Sequence, residues 1–200
     1  VYGHSTGGIE AAVVASRRPA AGLIVSCTVG RTHFERMADT IRLQGELAGD
    51  PEGEIDRGVA ARLAFVAAIL RGAGAAELRA DSTFAGYFNR AGRIMDDRTV
   101  AYWRQQLRLP LAEVYSRVSC PALVLHAASD FLTQRACHER IRDLLIAAGN
   151  AGATFREIPG VDHAYSRARD VRESFERYRT GDFQYVPAPA AAIVEWLRER

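Results

Sequence analysis

A serine set between glycines, and far downstream a carboxylate and an imidazole, are the residues of this chain best suited to chemistry. Gly3-His4-Ser5-Thr6-Gly7 has the pattern GxSxG, Asp130 ends the run Leu123-Val124-Leu125-His126-Ala127-Ala128-Ser129-Asp130, and His163 ends Ile158-Pro159-Gly160-Val161-Asp162-His163. A serine hydroxyl is a weak nucleophile until a base takes its proton. An imidazole accepts and returns a proton near neutral pH, and a buried carboxylate fixes its tautomer and stabilises the imidazolium. Ser5 is therefore the candidate nucleophile, His163 the base and Asp130 the acid. Asp162 is the rival acid, ranked lower because a neighbour of His163 in sequence usually points elsewhere, while Asp130 comes from a separate strand. The flanking glycines are expected to permit a sharp turn in which neighbouring Cβ atoms would clash.

Positioning these residues requires a sheet. Gly22-Leu23-Ile24-Val25-Ser26-Cys27 is short, apolar and bounded by turn residues, as in a strand buried on both faces of a parallel sheet. Ala122 to His126 repeats the pattern, and Ala153 to Ile158 does so more weakly. A helix from Ile9 to Ser16 stops before Pro19, another is expected from Arg135 to Ala148, and a last one from Ala190 to Arg198. Strands alternating with helices give an α/β fold, and the loops of Asp130 and His163 follow predicted strands, at the sheet edge where ligands bind.

The stretch from about Arg31 to Ser119 has no strand-like run. Ile55, Val59, Leu63, Val66, Ile69 and Leu70 lie on one helical face, and Val100, Trp103, Leu107 and Leu111 suggest a second helix. Residues 31–119 are too many for a simple crossover and are read as a helical cap or lid inserted into a core made of 1–30 and 120–200.

The 26 basic and 24 acidic residues give a net charge of +2 without a basic stripe, so nucleic acid is not an expected partner. The chain has no lysine, which excludes Schiff-base and Ser-Lys chemistry. Cys27, Cys120 and Cys137 form an odd set without CxxC spacing and are read as reduced thiols of a cytoplasmic protein. No apolar run suffices for a membrane span. Neither a metal-binding nor a phosphate-binding motif occurs, and no cofactor is expected. His4 and His33 are possible pocket residues; His126 and His138 are read as structural.

Across most of its length the chain resembles the α/β-hydrolase family. Gly3 to Gly8, with Pro121 to Thr133, is closest to the serine aminopeptidase and lipase-esterase branches. The resemblance implies a serine hydrolase that forms an acyl-enzyme on Ser5, with His163 and Asp130 completing the triad and the Thr6 backbone N–H as one oxyanion-hole donor. The implied substrate is a small molecule with an ester, thioester or amide bond. Only Val1 and Tyr2 precede the motif, so the chain is expected to be the carboxyl-terminal part of such a hydrolase, lacking its first strands and its second oxyanion donor. An aminopeptidase of the same fold and a non-catalytic hydrolase-like binding domain are the alternatives.

Overall fold

The computed structural model describes residues 1–200, apart from the side chain of Asp96. It divides into two compact units: Val1–Arg31 with Pro110–Arg200, and Thr32–Leu109.

The first unit is built on a parallel sheet of β1 (Tyr2–His4), β2 (Leu23–Ser26), β3 (Ala122–Ala127) and β4 (Ala153–Ile158), in that spatial order. The register pairs Tyr2 with Ile24, Ile24 with Leu123 and Leu123 with Thr154. β2 and β3 are buried at every position, which accounts for their unbroken apolar sequence. Helix α9 (Ala188–Arg198) lays Ala192 and Trp196 against Ile24, Leu123 and Leu125. Val25 and Val124 lie one position out of that register and so face the opposite side. Helices α1 (Thr6–Ala15) and α7 (Arg135–Ala147) pack on the strands, and α6 (Leu111–Ser116) packs against both of them.

The second unit is helical: α2 (His33–Ala48), α3 (Glu52–Arg71), α4 (Ala75–Ala80) and α5 (Val100–Leu107). Thr32 and Glu35 form a capping box at the start of α2. Phe65, Val66, Ile69, Leu78, Ile94 and Trp103 fill its own core. The Arg104 guanidinium donates to the Ile69 carbonyl in the last turn of α3 and to the Ala73 carbonyl just beyond it.

One expectation is corrected, and one helix is added. Val100 to Leu111 is not one helix, because Pro110 breaks it: α5 ends at Leu107, and Leu111 opens α6 in the other unit. Helix α8 (Val171–Thr180), which the sequence reading passed over, is strongly charged and lacks a broad apolar stripe. Its start signal was present in Asp170 and Glu173, where the Asp170 side chain accepts the Glu173 amide.

Candidate functional site

Ser5 sits between β1 and α1 with φ 54° and ψ −128°, a left-handed conformation that costs a non-glycine residue on the order of 1–3 kcal/mol. It occupies the N-cap of α1, where a serine commonly accepts a hydrogen bond from the first turn, yet its side chain makes no such bond. Its Oγ lies 3.1 Å from His163 Nε2 instead. The Ser5 amide donates to the Ser26 carbonyl at 2.9 Å, fixing the turn to the end of β2.

Close approach of neighbouring atoms, backbone at Gly3 and side chain at Gly8, shapes the turn, although not at both expected glycines. A Cβ on Gly3 would stand 2.0 Å from the Gly7 carbonyl oxygen, and one on Gly8 would stand 2.7 Å from Thr28 Cβ. Gly7 has open space where its Cβ would be. The steric requirement therefore falls on Gly3 and Gly8, and the expectation for Gly7 is corrected.

Asp130 lies in the loop after β3, its carboxylate fully out of solvent. Oδ1 accepts the amides of Leu132 at 2.7 Å and Thr133 at 2.9 Å, while Oδ2 accepts the Thr133 hydroxyl and faces His163 Nδ1 at 2.8 Å. Burial by itself pushes this carboxyl's pKa up. The charge of His163 and the hydrogen bonds from His163 and Thr133 outweigh burial and hold it below the ordinary carboxylate value. Asp130 is thus ionised, and a proton on His163 Nδ1 leaves Nε2 free to accept from Ser5.

Asp162 has different work. Its Oδ1 accepts the amides of Ala164 at 2.9 Å and Ser166 at 2.8 Å, folding the His163 loop on itself. Ser129 joins the two loops, its amide donating to the Val161 carbonyl at 2.9 Å and its hydroxyl to the Ala168 carbonyl at 2.8 Å.

The structure gathers Ser5, His163, Asp130, His4 and the start of α1 in one place. The His4 ring is 5.0 Å from that of His163 and edge-on to Tyr165 at 4.8 Å. Burial, reinforced by the neighbouring His163, lowers the His4 pKa to about 4, so it is a neutral wall of the site. Thr6 is the first residue of α1, and an amide at that position has no acceptor within its own helix. His33 packs within the helical unit, edge-on to Trp103 at 5.1 Å. His138 is a bridge: Nε2 accepts the Thr28 amide and Nδ1 donates to the Gln134 carbonyl, both at 3.1 Å. The His126 ring lies against it, tilted, at 4.6 Å.

Sequence reasoning missed Thr133, Tyr165 and Cys27. The first had a signal, since an Asp followed three residues later by Thr is a local turn pattern. Cys27 had none: its Sγ lies with ligand atoms of Asp130 and His163 within 4.8 Å of one another, a proximity made by tertiary folding. In this grouping the Asp130 and His163 atoms are already bonded to each other.

No curated protein sequence matches the chain. Among solved structures it is similar to BpoC of Mycobacterium tuberculosis H37Rv, assigned as a non-heme bromoperoxidase, at 16% identity and TM-score 0.49 over 100% of this chain and 66% of that one. It is also similar to the enol-lactonase from Burkholderia xenovorans LB400, at 16% identity and TM-score 0.47 over 98% and 64% of the two chains. A thermophilic esterase from Thermogutta terrifontis gives 21% identity and TM-score 0.47 over 99% and 64%. The chain thus spans less than two thirds of the length of each of these structures. No described helix is long and apolar enough to cross a membrane. Residues 1–174 match the alpha/beta hydrolase family profile, and the chain belongs to that family.

Proposed function

We propose that this chain carries the catalytic residues of a serine hydrolase that cleaves an ester, thioester or amide through an acyl-enzyme on Ser5. The observation that carries this reading is the continuous line from Ser5 Oγ to His163 Nε2, 3.1 Å, and from His163 Nδ1 to Asp130 Oδ2, 2.8 Å. His163 takes the Ser5 proton as Oγ attacks the substrate carbonyl, and returns it to the leaving group. It then takes a proton from water for deacylation, while Asp130 stabilises the imidazolium. The Thr6 amide, at the positive end of α1, donates to the developing oxyanion. The strained Ser5 backbone supports the same reading, because strain of this kind gathers at functional sites and here directs a hydroxyl away from its capping role.

The helical unit Thr32–Leu109 enters the chain between β2 and β3 and adds no strand to the sheet. In this proposal it governs substrate choice, as a cap does, while chemistry stays with the sheet unit. A fluorophosphonate probe followed by peptide mass spectrometry tests the central claim. The expected adduct is on Ser5 and disappears in Ser5→Ala; a folded protein that takes no label on Ser5 overturns the reading.

A further inference from the structure

Ser26, the last residue of β2, bonds to both halves of the site. Its carbonyl accepts the Ser5 amide at 2.9 Å, and its buried Oγ is hydrogen-bonded to the Tyr165 hydroxyl. Tyr165 lies two residues beyond His163 and holds φ 59°, a conformation that is uncommon without glycine. Its amide donates to the Asp162 carbonyl and its carbonyl accepts the Val186 amide, each at 3.0 Å.

The hydroxyl bonds run in one direction. Ser26 Oγ donates to Cys27 Sγ at 3.6 Å, and a hydroxyl has one proton, so Tyr165 donates to Ser26 and the Tyr2 hydroxyl, 3.0 Å away, donates to Tyr165. Burial raises the Tyr165 phenol well above its ordinary pKa, which keeps its donor proton in place.

Each fastening of the His163 loop has a distinct reach. Asp162 fixes the loop's internal shape, Ser129 holds it to the loop after β3, and the Tyr165 hydroxyl ties it to β2, the strand whose end carries the Ser5 amide. We propose that Tyr165 and Ser26 are positioning residues that set the separation of Ser5 Oγ from His163 Nε2 by fastening the His163 loop to the strand end that anchors Ser5. The proposal rests on the serine-hydrolase reading, in which small displacements of reacting atoms are costly.

Tyr165→Phe removes one oxygen and leaves the edge-on packing against His4. The expected result is a roughly fivefold to tenfold slower fluorophosphonate labelling of Ser5, with the fold retained and the thermal midpoint lowered by no more than a few degrees, as loss of a buried hydroxyl's bonds does. The His163 Nδ1–H proton resonance should shift or broaden in the same variant. Ser26→Ala reaches the same bond from the other end and should reproduce both effects, and the double variant should add little. Equal labelling rates with an unmoved His163 resonance overturn the proposal. If the unsubstituted protein takes no label on Ser5, the serine-hydrolase reading fails, and the His163 resonance alone then decides whether Tyr165 and Ser26 position the imidazole.

Discussion

Asp130 gives one carboxylate oxygen wholly to its own loop and shares the other between that loop and His163: Oδ1 takes the Leu132 and Thr133 amides, and Oδ2 takes the Thr133 hydroxyl and faces His163 Nδ1 at 2.8 Å. The loop orients the carboxylate, and the carboxylate in turn orients the imidazole. In Asp130→Asn the side chain cannot keep both patterns: an amide nitrogen placed at Oδ1 meets two N–H donors, and one placed at Oδ2 forces His163 into the opposite tautomer. Turnover should fall by on the order of 10⁴ with the fold retained. Activity within tenfold of the unsubstituted protein would remove Asp130 from the proposed mechanism.

Thr133→Val tests the loop side of the same carboxylate. It deletes the hydroxyl donor to Oδ2 but leaves the Thr133 amide bond to Oδ1. The expected loss in turnover is about tenfold, that of a single hydrogen bond to a charged group, and far below that of Asp130→Asn. A loss as large as the Asp130→Asn loss would show that the loop, rather than the carboxylate charge, is what this mutation breaks.

Ser5→Ala and His163→Ala should each lower turnover by on the order of 10⁴ or more, and the double variant should lose little beyond either. In the proposed mechanism Oγ and Nε2, 3.1 Å apart, act in one proton transfer, which removal of either partner would abolish. Additive losses in a kinetic cycle would show that the two residues serve separate steps.

Much of the site was legible because its residues end apolar runs. Asp130 follows the buried strand β3 and His163 the half-buried edge strand β4, and in a parallel sheet the loops after strands open at one edge, so spacing along the chain predicted convergence in space. The contributions of Cys27, Ser26 and Tyr165 were not legible, since they depend on which strand end faces which loop. Pro110 was readable but overlooked, because the apolar spacing from Val100 to Leu111 runs across it. Gly7 shows the limit of a motif: its place in GxSxG does not say which glycine a neighbouring atom excludes from carrying a side chain.

That limit yields a contrast between two glycines of the same motif. Gly3→Ala puts a Cβ 2.0 Å from the Gly7 carbonyl oxygen, so the backbone must move and Ser5 with it. Gly7→Ala meets open space within α1, where alanine is favoured over glycine by about 1 kcal/mol. Gly3→Ala should abolish Ser5 labelling and lower the thermal midpoint, whereas Gly7→Ala should fold at least as stably as the parent. Equal destabilisation by the two substitutions would contradict the geometry of the turn.

Acid should weaken the fold through its buried histidines. Burial lowers the pKa of His138 and His33 to about 3 and that of His4 to about 4, against 6.5 for an ordinary histidine. For His138, protonation of Nε2 would also break its bond to the Thr28 amide. As pH falls through about 6.5 the unfolded chain takes up protons that the folded chain refuses, so stability is full above that value and lost below it, at about 1.4 kcal/mol per pH unit for each such histidine. Asp130, held below the ordinary carboxylate value, adds a loss of the same sign at lower pH. Asp162, raised chiefly by its burial, works in the opposite direction. His126, also lowered chiefly by burial, adds to the same side, and four histidines against one raised carboxyl decide the sign above the carboxylate range. The denaturant midpoint should therefore hold steady at neutral pH and drop steeply between about pH 6.5 and about pH 4.5. A midpoint unchanged across that window would mean that these imidazoles accept protons in the folded state, and that their burial is looser than the packing around His138 and His33 implies.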